Sequence, residues 1–214
     1  KGAMRAIAVG ELEADGRDDQ GALIVQNVEG RRRSQIGKTM WTNVAYSATE
    51  YGSTLLRSFI PQRQFPFPKS LYAVEDALRC YVGDNPDAVV LDFFAGSGTT
   101  AHAVARLNRQ DGGGRQSISV TNNEVSDAEA RQLRKAGPRP GDPEWEALGI
   151  FEHVTRPRIE AAVTGVTPDG EPVKGDYKFT DEFPMAEGFE ENVEFFELTY
   201  LDPEDVELDL AFEG

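Results

Sequence analysis

Two glycines, Gly96 and Gly98, follow an apolar run and precede a stretch with helical spacing in LDFFAGSGTTAHAV, residues 91–104. Glycine permits a tight turn and lets a ligand approach the backbone closely. The spacing is not that of a P-loop, because Ala101 stands where a second glycine would be needed. It does fit the dinucleotide fingerprint G-x-G-x-x-G/A, with Ala101 in the last place. The segment therefore predicts a strand, a glycine turn and a helix that hold a nucleotide-like ligand.

A carboxylate follows the next predicted strand, which covers Ser117 to Val120 and ends in TNNEV. Glu124 lies just past this strand, where a carboxylate can accept both hydroxyl groups of a ribose. The alternative is that Glu124 is a loop residue before the next helix. The capping box Ser126-x-x-Glu129 marks the start of that helix, and a glycine marks its end at position 137. Position alone leaves both interpretations open.

The segment FPFPKS, residues 65–70, precedes apolar residues that repeat with helical spacing from Leu71 to Val82. Its prolines keep the chain extended, and Ser70 is a natural N-cap. A helix start with unused backbone N–H groups suits a carboxylate ligand, because the N–H groups and the helix dipole both attract anions. The alternative is an ordinary capped core helix.

An α/β scaffold must position these features. The apolar run Val89 to Phe94, broken only by Asp92, is typical of a parallel strand covered on both faces. Thr99 or Thr100 would cap the helix after the glycines. Short apolar pieces alternate with turns in the first 40 residues, which predicts small antiparallel strands there.

The C-terminal third is predicted to add a helix, a hairpin and a strand. The helix would be interrupted near Pro157. The Asp-Gly turn in residues 166–179 predicts a surface hairpin. NVEFFELTYL, residues 192–201, alternates as a third strand of the same sheet would. Residues 202–214 form an acidic tail, interpreted as a solvated end, with a docking surface for a partner as the alternative.

Charge is distributed unevenly along the chain. Residues 1–140 carry 18 Lys and Arg against 16 Asp and Glu, whereas residues 141–214 carry 4 against 21. The acidity argues against DNA lying over the C-terminal part and says little about the rest. A basic cluster of Arg31, Arg32, Arg33 and Lys38 is either a solvated turn or a modest phosphate contact.

The composition also argues against several kinds of site. His102 and His153 lie far apart in the sequence, so no metal site is predicted. Cys80, the single cysteine, falls in an apolar helical pattern and is expected to be a buried thiol. No apolar run approaches the roughly 18 residues of a membrane helix, and the expected compartment is the cytoplasm.

In order and spacing, FPFPKS, LDFFAGSGTTAHAV and SVTNNEV resemble the cofactor-binding motifs of beta-class DNA amino-methyltransferases. The resemblance is closest to the modification subunits of type III restriction-modification systems. It implies a Rossmann-like, three-layer α/β methyltransferase fold with a mainly parallel sheet. It further implies S-adenosylmethionine as the cofactor and methyl transfer to adenine N6 in DNA, with cytosine N4 less favoured. The implied partners are DNA and either a restriction subunit or a second copy of the chain, with no membrane.

The resemblance also assigns contacts to the cofactor. The methionine carboxylate would meet the helix start at Lys69 and Ser70, and the methionine and adenosine would lie across Asp92 to Gly98. The ribose would meet Glu124. The full set of implied cofactor contacts is Phe67, Pro68, Lys69, Ser70, Asp92, Phe93, Phe94, Ala95, Gly96, Ser97, Gly98, Thr99, Thr100, Asn123 and Glu124.

These enzymes carry an Asp/Asn/Ser-Pro-Pro-aromatic motif that takes the flipped base, and the 214 residues contain no Pro-Pro dipeptide. The expectation is therefore the C-terminal, cofactor-binding part of a longer enzyme, without catalytic residues of its own. Its segments would be the end of a target-recognition region (1–40), a methyltransferase half-domain (41–201) and the tail (202–214). Two alternatives remain. One is a dinucleotide-binding oxidoreductase domain, which leaves FPFPKS unexplained, and the other is a non-catalytic recognition or assembly module.

Overall fold

The computed structural model of the protein describes residues 12–17, 23–27, 40–63 and 65–198. The chain divides into two compact units, residues 1–41 and 42–214. In the first unit, strands β1 (Leu12–Arg17) and β2 (Leu23–Asn27) pair antiparallel, as predicted. The basic cluster Arg31, Arg32, Arg33 and Lys38 and the acidic tail 202–214 lie outside the described residues.

The second unit contains a parallel pair of strands, β3 (Val89–Asp92) and β4 (Gln116–Ser119). Val89 lies opposite Gln116 and Asp92 lies opposite Ser119. Helix α3 (Thr99–Asp111) connects the strands and packs against β4. The strand, glycine turn and helix predicted from the sequence are therefore confirmed, together with a second parallel strand.

Helices make up most of the other regular structure of the second unit. Two short irregular turns, a 3-10 turn (Val44–Tyr46) and a π-helical segment (Thr49–Thr54), lead into the first α-helix. The α-helices are α1 (Leu55–Phe59), α2 (Leu71–Val82), α3, α4 (Asp127–Ala136), α5 (Pro143–Glu146) and α6 (Arg156–Thr164). A π-helical segment (Phe151–Thr155) runs directly into α6, and a 3-10 turn (Met185–Glu187) follows later. The predicted interruption near Pro157 is thus a change of helical pitch just before that proline.

Two predicted helix caps are confirmed. The Ser70 hydroxyl accepts a hydrogen bond from the N–H of Ala73 at 3.4 Å, at the start of α2. The Ser126 hydroxyl accepts one from the N–H of Glu129, also at 3.4 Å, at the start of α4. Helix α4 ends at Gly137, which has a positive φ of 124°. Side-chain caps depend on a few neighbouring residues, so sequence suffices to locate them.

The core of this unit lies between α2, α3 and the segment 166–189. The segment makes the predicted turn, since the N–H of Thr167 donates to the C=O of Glu171 at 2.8 Å. Val166 and Pro172 form an antiparallel bridge, so the predicted hairpin is confirmed, but it also contributes to the core. Val173 and Tyr177 are buried in the core, and the Tyr177 hydroxyl lies 2.7 Å from Nε2 of His102. A tyrosine ring can fill a core when its hydroxyl finds a partner there.

The sheet is covered less completely than predicted. Val89, Leu91 and Ile118 lie on one face and are each about half exposed, whereas Val90 and Ser119 alternate with them and are less exposed. The prediction of a β3 strand covered on both faces is therefore wrong for the part of the chain that the structure describes. A continuous apolar run indicates that both faces of a strand are suited to burial. Whether they are buried depends on other elements that pack against the sheet.

Two further predictions are wrong. Cys80 is exposed, because it lies five residues after buried Glu75 and hence about 140° around α2. Residues 192–198, predicted to lie in a third strand, form no strand. Phe195 instead packs against the Phe151 ring with a centroid distance of 5.9 Å, and the Arg156 guanidinium lies 5.1 Å from its centroid. Phe195 thus attaches this segment to the second unit through an aromatic contact, without strand pairing.

Within the described ranges, no helix is both long and apolar enough to cross a membrane.

Candidate functional site

The glycine turn lies at the carboxyl ends of β3 and β4. The N–H of Val120 donates to the C=O of Asp92 at 2.7 Å, and the N–H of Ala95 donates to the C=O of Val120 at 3.1 Å. These bonds tie the turn to the end of the second strand. Glu124 lies four residues after Val120, in the segment that follows the carboxyl end of β4, and ligands of open parallel sheets bind outside such strand ends.

Asp92 organises the first half of the turn. One carboxylate oxygen accepts a hydrogen bond from the N–H of Phe94 at 3.1 Å. The other accepts one from the Thr100 hydroxyl at 2.6 Å. Both carboxylate oxygens thus bind the protein itself, so the side chain of Asp92 stabilises the turn.

The two glycines of the turn do different things. Both have positive φ, 52° at Gly96 and 74° at Gly98, a conformation that other residues adopt only with strain. A methyl group on Gly98 would lie 3.0 Å from Cγ1 of Ile159 in α6. A side chain at Gly98 would therefore meet α6, and contact between the Gly98 backbone and a ligand stays a prediction. A methyl group on Gly96 would meet only ordinary contacts, the nearest being Cζ of Phe65 at 3.5 Å.

The predicted threonine caps of α3 are not formed. Gly98 is the N-cap residue, and no side chain caps this helix. The Thr100 hydroxyl donates to Asp92, and the Thr99 hydroxyl accepts a hydrogen bond from Arg158. Other parts of the chain engage both hydroxyl groups, which a local capping rule cannot anticipate.

Three aromatic rings of the predicted site face solvent. Phe93 and Phe94 are 62 % and 92 % exposed, directly before the glycines. Phe67 is 90 % exposed and has a positive φ of 57°. A large residue with positive φ is uncommon and often marks a functional position. Exposed rings beside an open turn can stack on a flat heterocycle.

Residues of the C-terminal helical region support the turn from inside the protein. The Thr155 hydroxyl donates to the C=O of Gly96 at 2.5 Å. Nη1 of Arg158 lies 3.0 Å from the C=O of Ser97, 2.9 Å from its hydroxyl and 2.7 Å from the Thr99 hydroxyl. Sequence reasoning missed both residues. The available signal was their helical spacing with Ile159, since positions 155, 158 and 159 share one face of a helix.

The helix start at FPFPKS is already partly satisfied. The Ser70 hydroxyl caps α2 and also donates to the C=O of Ala45 at 2.7 Å. Pro68 is buried, whereas Lys69 is exposed. Lys69 lies beside an apolar groove of about 430 Å³ that runs along α2 towards Leu78 and Tyr81. The exposed ammonium group of Lys69 is thus the charged group of this segment that is available to an anion.

Asn123 and Glu124 have different surroundings. The Asn123 amide donates to the C=O and to the carboxylate of Glu146, each at 2.8 Å, and its oxygen accepts from the N–H of Glu152 at 3.1 Å. This side chain holds the following segment in place. The Glu124 side chain is exposed, and its carboxylate accepts one long hydrogen bond of 3.4 Å from Asn122. Glu124 is therefore the residue of the pair that presents a carboxylate at the edge.

A small basic cavity of about 310 Å³ lies near the turn, lined by Ser53, Leu56, Arg57, Arg63 and Phe65. The ring of Phe65 connects it to Gly96. Arg63 donates to the C=O of His153 at 2.7 Å, and burial together with the Arg63 charge lowers the pKa of His153. The part of the chain that the structure describes contains no group of three or more His, Cys, Asp and Glu side chains able to hold a metal ion.

Comparison with known proteins gives a consistent result. Residues 6–152 match the DNA methylase family of N6/N4 type, and this range includes the glycine turn and Glu124. The match covers more than half of the chain.

Individual relatives match shorter stretches. The type II methyltransferase M.KpnI of Klebsiella pneumoniae is 36% identical over 103 residues, which is 48% of this chain and 24% of that protein. The type III restriction-modification enzyme EcoPI Mod subunit of Escherichia phage P1 is 36% identical over 107 residues, 47% of this chain and 16% of that subunit. The StyLTI Mod subunit of Salmonella typhimurium is 41% identical over 81 residues, 38% of this chain and 12% of that subunit. The chain thus spans about a quarter or less of the length of these relatives.

Proposed function

Because this chain belongs to the DNA methylase family of N6/N4 type, we propose that it forms the cofactor-binding half of a DNA methyltransferase. The methyl donor in this proposal is S-adenosylmethionine, and the acceptor is N6 of adenine in DNA, with cytosine N4 less favoured. The observation that carries the proposal is the glycine turn after β3, where half-buried Gly96 follows the exposed rings of Phe93 and Phe94. The exposed carboxylate of Glu124 follows β4, the parallel neighbour of β3.

The chemistry of the edge suits the three parts of this cofactor. The exposed rings of Phe93 and Phe94 can contact the adenine and the methionine along Asp92 to Gly98. The carboxylate of Glu124 can accept hydrogen bonds from both ribose hydroxyls. The ammonium of Lys69 can bind the methionine carboxylate near the start of α2. The cofactor supplies the activated methyl group, and the chain's part is to bind and orient it.

The exposed sheet face supports the assignment to half of a domain. Val89, Leu91 and Ile118 form an apolar strip that a three-layer methyltransferase fold would cover with helices. We propose that the rest of the methyltransferase covers this strip and carries the Pro-Pro-aromatic motif that these 214 residues lack. The type III relatives are Mod subunits, and a restriction subunit or a second copy of the chain is the corresponding proposed partner, besides DNA.

Calorimetric titration with S-adenosylmethionine and with NAD tests cofactor binding. The wild-type chain should bind S-adenosylmethionine and not NAD. Gly96→Ala should weaken binding about ten-fold, because a side chain at φ 52° strains the turn. Gly112→Ala is the matched control, since Gly112 has φ 70°, ends α3 away from the turn and has open space around it. Tighter binding of NAD than of S-adenosylmethionine would contradict the proposal and would favour a dinucleotide-binding oxidoreductase domain.

Methyl transfer tests the division into two halves. Incubated with tritiated S-adenosylmethionine and mixed-sequence DNA, the chain alone should leave the DNA unlabelled, while a full-length homologue labels it. Holding the base in line with the methyl group can lower the activation barrier by roughly 7–11 kcal/mol. Cofactor binding alone cannot provide this positioning. Appreciable label would mean that other residues of this chain perform catalysis, and the assignment to a cofactor-binding half would be wrong.

A further inference from the structure

One helical face supports the glycine turn. Thr155 donates to the C=O of Gly96, the Arg158 guanidinium binds the next part of the turn, and Ile159 packs beside Gly98. The three side chains are spaced by three and four residues, so they project from one side of the helix. The conformation of the turn is therefore coupled to the position of this helix, although the two are about 60 residues apart in the sequence.

Arg158 is an unusual residue for a buried position. It is fully buried, and no carboxylate pairs with it among the described residues. Its Nε and Nη2 atoms have no hydrogen-bond partner in the described part of the chain. Arg106, equally buried, has the partner that is expected, since its Nε lies 2.6 Å from the carboxylate of Glu75.

Stability does not explain an unpaired buried cation. Burial lowers the pKa of Arg158 to about 10, so the side chain still carries its charge at neutral pH. Replacing buried charged groups by apolar residues of similar volume often leaves stability unchanged or raises it. What Arg158 does provide is a donor for three oxygen atoms, the C=O and hydroxyl of Ser97 and the hydroxyl of Thr99. Without that donor, these buried acceptors would have to rearrange.

We propose that Arg158 and Thr155 are positioning residues that hold the glycine turn in the shape that binds the cofactor. This inference rests on the proposed function. Neither residue needs to touch the ligand. Both act through the backbone carbonyls of Gly96 and Ser97, which set the path of the chain below the exposed rings of Phe93 and Phe94. A turn that is held before the ligand arrives binds more tightly, because less conformational freedom is lost on binding.

The test compares variants of the two buried arginines in the full chain. Arg158→Met should weaken binding of S-adenosylmethionine about ten-fold or more, and it should lower the unfolding midpoint less than Arg106→Met does, because it removes an unpaired cation and leaves only neutral oxygens without a donor. Arg106→Met is the matched control, because it removes an equally buried guanidinium that does not bind the turn. It leaves one oxygen of the buried Glu75 carboxylate without its arginine, while Arg79 and Gln110 still bind the other, so it should lower the unfolding midpoint while the folded protein keeps its affinity. Arg158→Lys should restore part of the affinity, because an ammonium group can still donate to these oxygens.

A second variant and a second measurement guard against misfolding. Thr155→Val keeps the shape of the side chain, removes the bond to Gly96 and should weaken binding several-fold. In the ligand-free protein, the Gly98 N–H donates to the C=O of Ala95 at 2.7 Å, and Arg158→Met should accelerate its hydrogen exchange.

The outcomes separate this inference from the proposed function. If the wild-type chain does not bind S-adenosylmethionine, the proposed function fails and this inference fails with it. If the wild type binds but Arg158→Met and Thr155→Val bind equally well, only the inference is overturned. Unchanged exchange at Gly98 in Arg158→Met overturns it as well, since the turn would then keep its shape without the guanidinium.

Discussion

The core between α2 and α3 and the carboxyl edge of the β3–β4 pair use the same residue types in opposite ways. In the core, the Tyr177 ring is buried and the Glu75 carboxylate is paired with a buried arginine. At the edge, the Phe94 ring is exposed and the Glu124 carboxylate has one long hydrogen bond. The Glu75 carboxylate is thus bound within the protein, whereas the Glu124 carboxylate stays available to a ligand. We interpret the core as the source of stability and the edge as the binding surface.

The largest expected effect is in the core. Glu75→Gln removes the charge that compensates Arg106, whose guanidinium lies between the rings of Tyr72 and Tyr177. An uncompensated buried charge should lower the free energy of unfolding by about 3–5 kcal/mol, measured by urea denaturation. Glu160→Gln breaks an exposed ion pair in α6 and serves as the control, with an expected change of less than about 1 kcal/mol. Equal losses in the two variants would contradict the view of Glu75 as a core residue.

A smaller effect is expected at the edge, on binding instead of stability. Glu124→Ala should remove charge-assisted hydrogen bonds worth about 1.5–3 kcal/mol and weaken S-adenosylmethionine binding ten-fold or more, as measured by calorimetry. The unfolding midpoint should not change. Glu144→Ala, an exposed glutamate at the start of α5, is the matched control and should bind normally. Unchanged affinity in Glu124→Ala would make this glutamate an ordinary loop residue.

The core should also give stability a pH dependence. Burial, followed by the charges of Arg158 and Arg106, lowers the pKa of His102 well below its ordinary value of 6.5. Below about pH 6.5 the unfolded chain binds a proton that folded His102 does not, so stability present at neutral pH is lost as the pH falls. The loss approaches about 1.4 kcal/mol per pH unit until the folded pKa is reached.

Urea denaturation of wild type and His102→Gln at pH 7.5, 6.5 and 5.5 measures this contribution. The variant should show a shallower fall in stability. His153 remains in both proteins, and its lowered pKa gives a slope of the same sign, so the difference between the two slopes isolates His102. Equal slopes would show that His102 can be protonated in the folded protein.

The smallest expected effect is on the open sheet face. Leu91→Asn should change the free energy of unfolding by no more than about 0.5 kcal/mol, because Leu91 is already about half exposed. Leu71→Ala, at a fully buried position of α2, should cost about 2–5 kcal/mol in the same denaturation assay. A large loss in Leu91→Asn would mean that the chain covers this face itself, which would contradict the assignment to half of a domain.

Local patterns predicted much of the edge. The glycine turn, the N-caps at Ser70 and Ser126 and the two parallel strands each depend on a few neighbouring residues. The residues of the three motifs and their spacing also indicated the family. The cofactor contacts themselves stay predictions. The Asn123 amide binds Glu146, and the space that a Gly98 side chain would fill is taken by α6.

The short elements could be predicted from the sequence alone, because hydrophobic periodicity, capping and glycine conformation each depend on a few neighbouring residues. Which groups those elements bury could not be predicted in this way. The Tyr177 hydroxyl is buried beside a hydrogen-bond partner, His102, that lies 75 positions earlier in the sequence, and Cys80 is exposed because it lies outside the buried face of α2. Arg158 reaches the glycine turn across about 60 residues. Contacts between distant segments depend on how the elements pack, and no local pattern records that.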